Sequence, residues 1–224
     1  MRIIFVILSE ILLLNACNYK QNSKSMLVTD KTNEYIPKDT GSLYFPLETL
    51  HFTSDKKNRI GDSLIKAMCS EILFQLKEPV LYKYSGKQQI VRLLWLRPFD
   101  NPVVIRINNW QGKIFVNIKE VKQEYHSEVD YTNKTGIDTV IMIGINKWNK
   151  IISSLYSKDF WKSSSSGTVE YEDATIFILE GYINNKYHCI TRTIENTAAL
   201  DSNEYVKDLY EIGNNILSMK NRKE

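Results

Sequence analysis

The sequence predicts an α+β fold: an antiparallel sheet of about six strands, a meander plus a hairpin, covered by about three helices. Three observations carry this. Strand patterns follow one another through the middle of the chain instead of alternating strictly with helices. Ala174–Ile183 and Lys186–Ile194 flank Asn184-Asn185, a pair that tolerates the positive φ of a two-residue hairpin turn. Separate stretches repeat apolar residues at helical spacing. Hydrophobic residues make up 43% of the 224 residues, enough for a sizeable core.

Taken in order, Ile60, Leu64, Met68, Ile72 and Leu76 form one stripe, flanked by Ile65, Cys69 and Leu73. This predicts a helix over Ile60–Leu76, stopped by Pro79 and wide enough to pack on a sheet. Gln88–Arg97, Val103–Asn108 and Ile114–Val121 read as three strands joined by a turn over residues 98–102 and by Gln111-Gly112. Thr139–Ile145 is a fourth strand, with Ile141, Ile143 and Ile145 toward the core and Gly144 marking a bulge. Asn146 is the expected N-cap of a helix whose apolar face is Trp148, Ile151, Ile152, Leu155 and Tyr156. Phe160-Trp161 leads into a Ser-rich loop. The hairpin register sets Tyr182 against Tyr187, Glu180 against Cys189 and Gly181 against His188. A closing helix begins near Asp201-Ser202, with Tyr205, Val206, Leu209, Ile212, Ile216 and Leu217 as its stripe. The element order places the helices on one face of the sheet.

The N-terminus carries an address. Arg2 precedes the apolar run Ile3–Leu14, and Leu14-Asn15-Ala16-Cys17 follows it. At about 1.5 Å per helical residue, such a run reaches about 18 Å. That is short of the about 30 Å of a bilayer core, so cleavage is favoured over spanning. Glu10 opposes insertion by about 3 kcal/mol, and the ten Ile, Leu, Val and Phe side chains return about 0.3–0.6 kcal/mol each. Leu14-Asn15-Ala16-Cys17 resembles the lipobox of a bacterial lipoprotein signal peptide. The resemblance implies a diacylglyceryl group on the Cys17 thiol, cleavage before Cys17 and acylation of the new amine. The chain divides into a signal peptide (1–16), a lipidated cysteine with a flexible polar tether (17–42) and a single α+β domain (43–224).

Composition excludes several classes. The formal net charge is +3 and the basic residues are dispersed, with no basic patch interleaved with aromatics, so no nucleic-acid partner is expected. His51, His126 and His188 lack paired-ligand spacing, and no zinc, calcium, P-loop, dinucleotide or nucleophile-elbow motif occurs. No metal or cofactor is expected. Once Cys17 is lipidated, Cys69 and Cys189 remain, and they read as small buried hydrophobes or, alternatively, as a disulfide pair.

Two segments hold candidate site residues. In the first, Trp95 and Arg97 share one strand face, with Arg106 on the next strand. Their functional reading is an aromatic-plus-guanidinium surface for an anion or sugar. Their structural reading is a core Trp and an Arg that closes a turn by bonding to carbonyls. In the second, Glu180 and His188 are acid–base candidates, with Tyr187 and Arg192 beside them. Alternation puts Glu180 with Tyr182, Tyr187 and Cys189 on one face, and His188 with Arg192 on the other. Gly181 leaves room for the imidazole to lie across the sheet.

Trp95, Arg97, Arg106, Glu180, Gly181, Tyr187, His188 and Arg192 form a pattern that resembles a family of uncharacterised bacterial secreted and lipid-anchored proteins, over about Glu78 to Met219. The resemblance implies a single domain and supplies no activity. The expected function is a lipid-anchored cell-envelope protein, attached to the membrane through Cys17. Its domain binds an envelope protein or a cell-wall component without catalysis. The alternative is an envelope hydrolase or transferase using Glu180 or His188 as acid or base, with Arg97 or Arg192 holding an anion.

Overall fold

The computed structural model describes residues 36–37, 41–52, 59–98, 100–125, 131–157, 159–165, 175–194, 206–211 and 213–214. The segment expected as a signal peptide, Cys17, most of the expected tether, and Tyr205, Ile212, Ile216 and Leu217 of the expected closing helix lie outside them. The elements are α1 (Arg59–Gln75), β1 (Gln89–Arg97), β2 (Asp100–Trp110), β3 (Lys113–Tyr125), β4 (Tyr131–Ile143), α2 (Ile145–Ser157), β5 (Thr175–Ile183) and β6 (Lys186–Ile194). Single 3₁₀ turns cover Leu81–Lys83 and Phe160–Lys162. A last helix, α3, is described over 206–211 and 213–214.

The six strands form one antiparallel sheet in the order β4-β3-β2-β1-β5-β6. The fold is therefore α+β, a four-strand meander with a hairpin added to the free side of β1. Asn184 and Asn185 both take positive φ, 52° and 61°, as a type I′ hairpin turn requires. The expected hairpin register holds at Tyr182–Tyr187, Gly181–His188 and Glu180–Cys189.

The helices lie on both faces of the sheet, not on one. Val91, Leu93, Trp95, Val103, Ile105, Phe177, Leu179 and Ile190 pack on one side with Trp148, Ile151 and Leu155 of α2, Phe160, and Val206 and Leu209 of α3. Leu94, Leu96, Val104, Val121, Ile178 and Cys189 pack on the other with Cys69, Ile72 and Leu73 of α1 and with Tyr44, Phe45, Leu50 and Phe52. The unbroken apolar run Leu93-Leu94-Trp95-Leu96 is what double coverage demands, because both side-chain rows leave water.

Several boundaries and faces differ from the sequence expectation. In α1, Leu64 is 66% and Met68 48% exposed, while Asp62, Lys66, Cys69, Ser70 and Leu73 are buried. The helix is rotated because two polar residues face inward with partners. Lys66 Nζ donates to the Leu47 carbonyl at 2.8 Å, and Asp62 accepts from the Phe52 backbone N–H at 2.8 Å. The helix ends before Pro79: Lys77 takes φ 52°, the Glu78 N–H bonds Leu73 O and the Lys77 N–H bonds Phe74 O, a Schellman ending.

β4 begins eight residues earlier than Thr139 and stops at Ile143. Gly144 is not a strand bulge: its carbonyl accepts from Lys147 and Trp148, so it opens α2 in place of Asn146. Ile145 falls in that first turn and is exposed. The sheet's register shifts lie instead at Glu120/Val121 and between Trp95 and Arg97. No helix among the described residues is long and apolar enough to cross a membrane.

Candidate functional site

The α1 face holds a row of buried charges. Arg92 on β1 is the Cα partner of Arg106 on β2 and of Glu180 on β5, so the three fall in line across the sheet. Lys119 on β3 lies on the same face, opposite Val104. The Schellman ending of α1 drops Glu78 among them. Glu78 Oε2 is 2.9 Å from Arg106 Nε and 3.7 Å from Arg92 Nη1, and Glu78 Oε1 is 3.0 Å from Lys119 Nζ. Arg92 Nε donates to Glu180 Oε2 at 2.7 Å, and Arg92 Nη1 donates to Pro79 O at 2.6 Å. Tyr187 donates to Glu180 Oε1 at 3.0 Å, and the Tyr44 hydroxyl donates to Glu78 O at 2.9 Å.

The two carboxylates of this row are pushed in opposite directions. Burial raises both. At Glu78 three cations more than reverse it, Arg106 first, then Lys119 and Arg92, and the carboxyl is held at about 2. At Glu180 burial prevails over Arg92 and the hydrogen bonds, and the carboxyl stays above its ordinary range. Burial, then the nearby Glu180, also raises Tyr187 well above a free phenol. Carboxyls with separated pKa values are a mark of acid–base sites. Here Glu78, Arg92 and Glu180 have no solvent exposure, so no substrate reaches them in this conformation.

His188 lies on the opposite face, against the 3₁₀ turn Phe160–Lys162. Its Nε2–H donates to Ser163 O at 3.0 Å, and its ring stands edge-on to Phe160, with centroids 5.0 Å apart. Burial, opposed by the bond to Ser163 and aided by Arg192, lowers its pKa. The space above Gly181 is filled chiefly by Phe160 and Trp161, because a Cβ there would meet Phe160 at 3.0 Å and Trp161 at 3.4 Å. Arg192 shares this face and donates to its neighbour's carbonyl, Thr191 O, at 2.7 Å.

Trp95 is buried in the same core, stacked on Phe177 at 5.9 Å and tilted against Tyr210 at 4.8 Å. Arg97 covers its ring at 5.2 Å, donates from Nε to Asn101 O at 2.8 Å and pairs with Glu120 at 2.8 Å. This is a core indole and a turn-closing guanidinium.

The candidates thus separate into three groups. Glu180, Arg106 and Tyr187 meet in the buried row; His188 and Arg192 share the α2 face; Trp95 and Arg97 close the β1–β2 end. Glu78, Arg92 and Lys119 were not among the sequence candidates. Arg92 carried a usable signal, a charge inside an apolar strand, which requires a buried partner. Among the described residues no His, Cys, Asp and Glu side chains gather in a group able to hold a metal ion.

An open concave feature lies elsewhere among the described residues. Tyr156, Asp159, Trp161, Lys162, Ile183 and Lys186 line a shallow cleft of about 280 Å³ where α2 and the 3₁₀ turn meet the β5–β6 hairpin. None of these six was singled out as a site residue, since their spacing spells no motif. Tyr156 was expected in the apolar face of α2 but is 51% exposed. Compared with protein-family models and with curated proteins, the chain matches none.

Proposed function

We propose that the protein is a lipid-anchored cell-envelope protein whose α+β domain is a non-catalytic binding module. Its target is another envelope protein or a cell-wall component. The observation that carries the address is the run Ile3–Leu14 ending in Leu14-Asn15-Ala16-Cys17. The observation that favours binding is the separation of the acid–base candidates. Glu180 is consumed by Arg92 and Tyr187 on one face, and His188 is bonded to Ser163 on the other. The two cannot act on one substrate through a sheet. The alternative, an envelope hydrolase or transferase, has one point in its favour, the raised pKa of Glu180, set against a side chain with no access to solvent.

The test has two arms. Cys17→Ser should abolish incorporation of a labelled fatty acid and release the protein from membranes; unchanged labelling and retention defeat the anchor. A His188→Gln variant that folds normally should keep the full cellular phenotype. Loss of phenotype at unchanged stability would return the enzyme reading to the front.

A further inference from the structure

The open cleft is built as a platform. Phe160 is buried in the core and fixes the 3₁₀ turn, while Gly181 lets Phe160 and Trp161 settle directly on the sheet. Asp159 enters the turn at φ 54°, a left-handed value that Asp tolerates better than most residues. Tyr156, from the last turn of α2, then stands beside Trp161, with ring centroids 6.0 Å apart and planes tilted by 38°. Ile183 completes the apolar lining.

Two features define what this platform takes. The rings stand side by side and tilted, so they offer an open apolar surface and no parallel slot. A slot suits a flat aromatic ligand held on both faces. An open surface suits a ring that is apolar on one face and hydroxylated at its edge, which describes a pyranose sugar. The rim supplies groups for such hydroxyls, the Tyr156 phenol and the Asp159 carboxylate. The second feature is charge. Lys162 Nζ is 3.0 Å from Asp159 Oδ1, so those two neutralise each other. Lys186 lines the same cleft with no carboxylate partner among the described residues. Among the described residues, one positive charge without a carboxylate partner therefore faces a ring-sized space.

We propose that this cleft binds a sugar ring carrying a carboxylate, the ring resting on Tyr156 and Trp161 and the carboxylate paired with Lys186. The inference rests on the binding-module reading above and names its ligand class. Acidic sugars of this kind occur as a lactyl-bearing amino sugar in cell-wall strands and as uronic acids in other envelope polymers.

The experiment is calorimetric titration of the full-length protein in detergent with three probes: N-acetylmuramic acid, glucuronic acid and N-acetylglucosamine. At least one acidic sugar should bind, and more tightly than the neutral one; which acid binds tighter distinguishes the two sources. Tyr156→Ala, at a half-exposed position, should keep the melting temperature and weaken binding about ten-fold. Lys186→Ala should erase the preference for acid over neutral sugar. No binding by either acid, equal binding of all three probes, or unchanged affinity in Tyr156→Ala overturns the proposal. The outcome is independent of Cys17: a membrane-retained protein that binds no sugar defeats this inference alone, and a sugar-binding protein that escapes lipidation defeats the anchor alone.

Discussion

Arg92 and Glu180 face each other across β1 and β5 with no exposure to solvent, and the guanidinium donates to the carboxylate at 2.7 Å. The same guanidinium is 3.7 Å from Glu78, which also neutralises Arg106 and Lys119. Removing Glu78 leaves Arg106, Lys119 and Arg92 short of a counter-charge, whereas removing Glu180 takes a partner from Arg92 alone. Glu78→Gln should therefore cost about 3–5 kcal/mol, and Glu180→Gln distinctly less. Urea unfolding of the two variants checks the order; equal losses would contradict it.

Acid should expose the same asymmetry. The Glu78 carboxyl is held at about 2 in the fold, below its ordinary unfolded value. Its stabilising contribution, on the order of 3 kcal/mol, is complete above the unfolded pKa and disappears as pH falls toward 2. Glu180 runs the other way, because its pKa is raised and protonation relieves a buried charge. His188 adds a loss at milder acidity: its lowered pKa makes charging unfavourable in the fold, so stability drops as pH falls below about 6.5. Denaturation midpoints against pH should flatten below about pH 4.5 in Glu78→Gln and near pH 6 in His188→Gln.

Gly181→Ala tests the seat of the cleft. The added Cβ would lie 3.0 Å from Phe160 Cε1 and 3.4 Å from Trp161 Cη2. Overpacking of this size costs about 1–3 kcal/mol. Phe160→Leu trims the obstruction, so the double variant should be more stable than the sum of the two single losses predicts. Thermal melts of all four proteins give the coupling, and strict additivity would mean that the ring does not press on the strand.

The thiols offer a simple count. Cys69 and Cys189 are both free and buried. Burial, with a smaller contribution from Glu180, pushes Cys69 up to about 12; burial first also raises Cys189, to about 11. Neither should react with an aromatic disulfide reagent in the native protein at pH 8. After unfolding, a protein lipidated at Cys17 should yield two thiols and the unlipidated form three.

Local patterns carried much of the fold. The hairpin was legible because Asn184-Asn185 specifies its turn and a two-residue turn fixes every pair beyond it. Apolar residues at helical spacing located α1 and α2. What the sequence did not disclose depends on which layer meets which. The inward face of α1 is decided by Asp62 and Lys66 finding partners in residues 47–52, and no periodicity reports a bond between polar side chain and loop. Double coverage of the sheet was implicit in Leu93-Leu94-Trp95-Leu96 but competed with the habit of one-sided antiparallel sheets. The site was less legible than the fold. Glu78 lies 14 positions from Arg92 and Glu180 lies 88 from it, so their meeting is a product of topology. The cleft residues are common types whose value comes from one turn placed above one glycine.

The strand order has a consequence for how the chain reaches its native state. β1 through β4 pair with their immediate successors, so those contacts form at low cost in loop closure. The other side of β1 waits for β5, which arrives only after α2 and the following turn have been made. Until then Arg92 lacks Glu180, and β1, one of the two central strands of the finished sheet, is an open edge. Folding speed should accordingly be governed by the docking of one late hairpin. A chain that is made from its N-terminus onward must keep that edge from finding a stranger first.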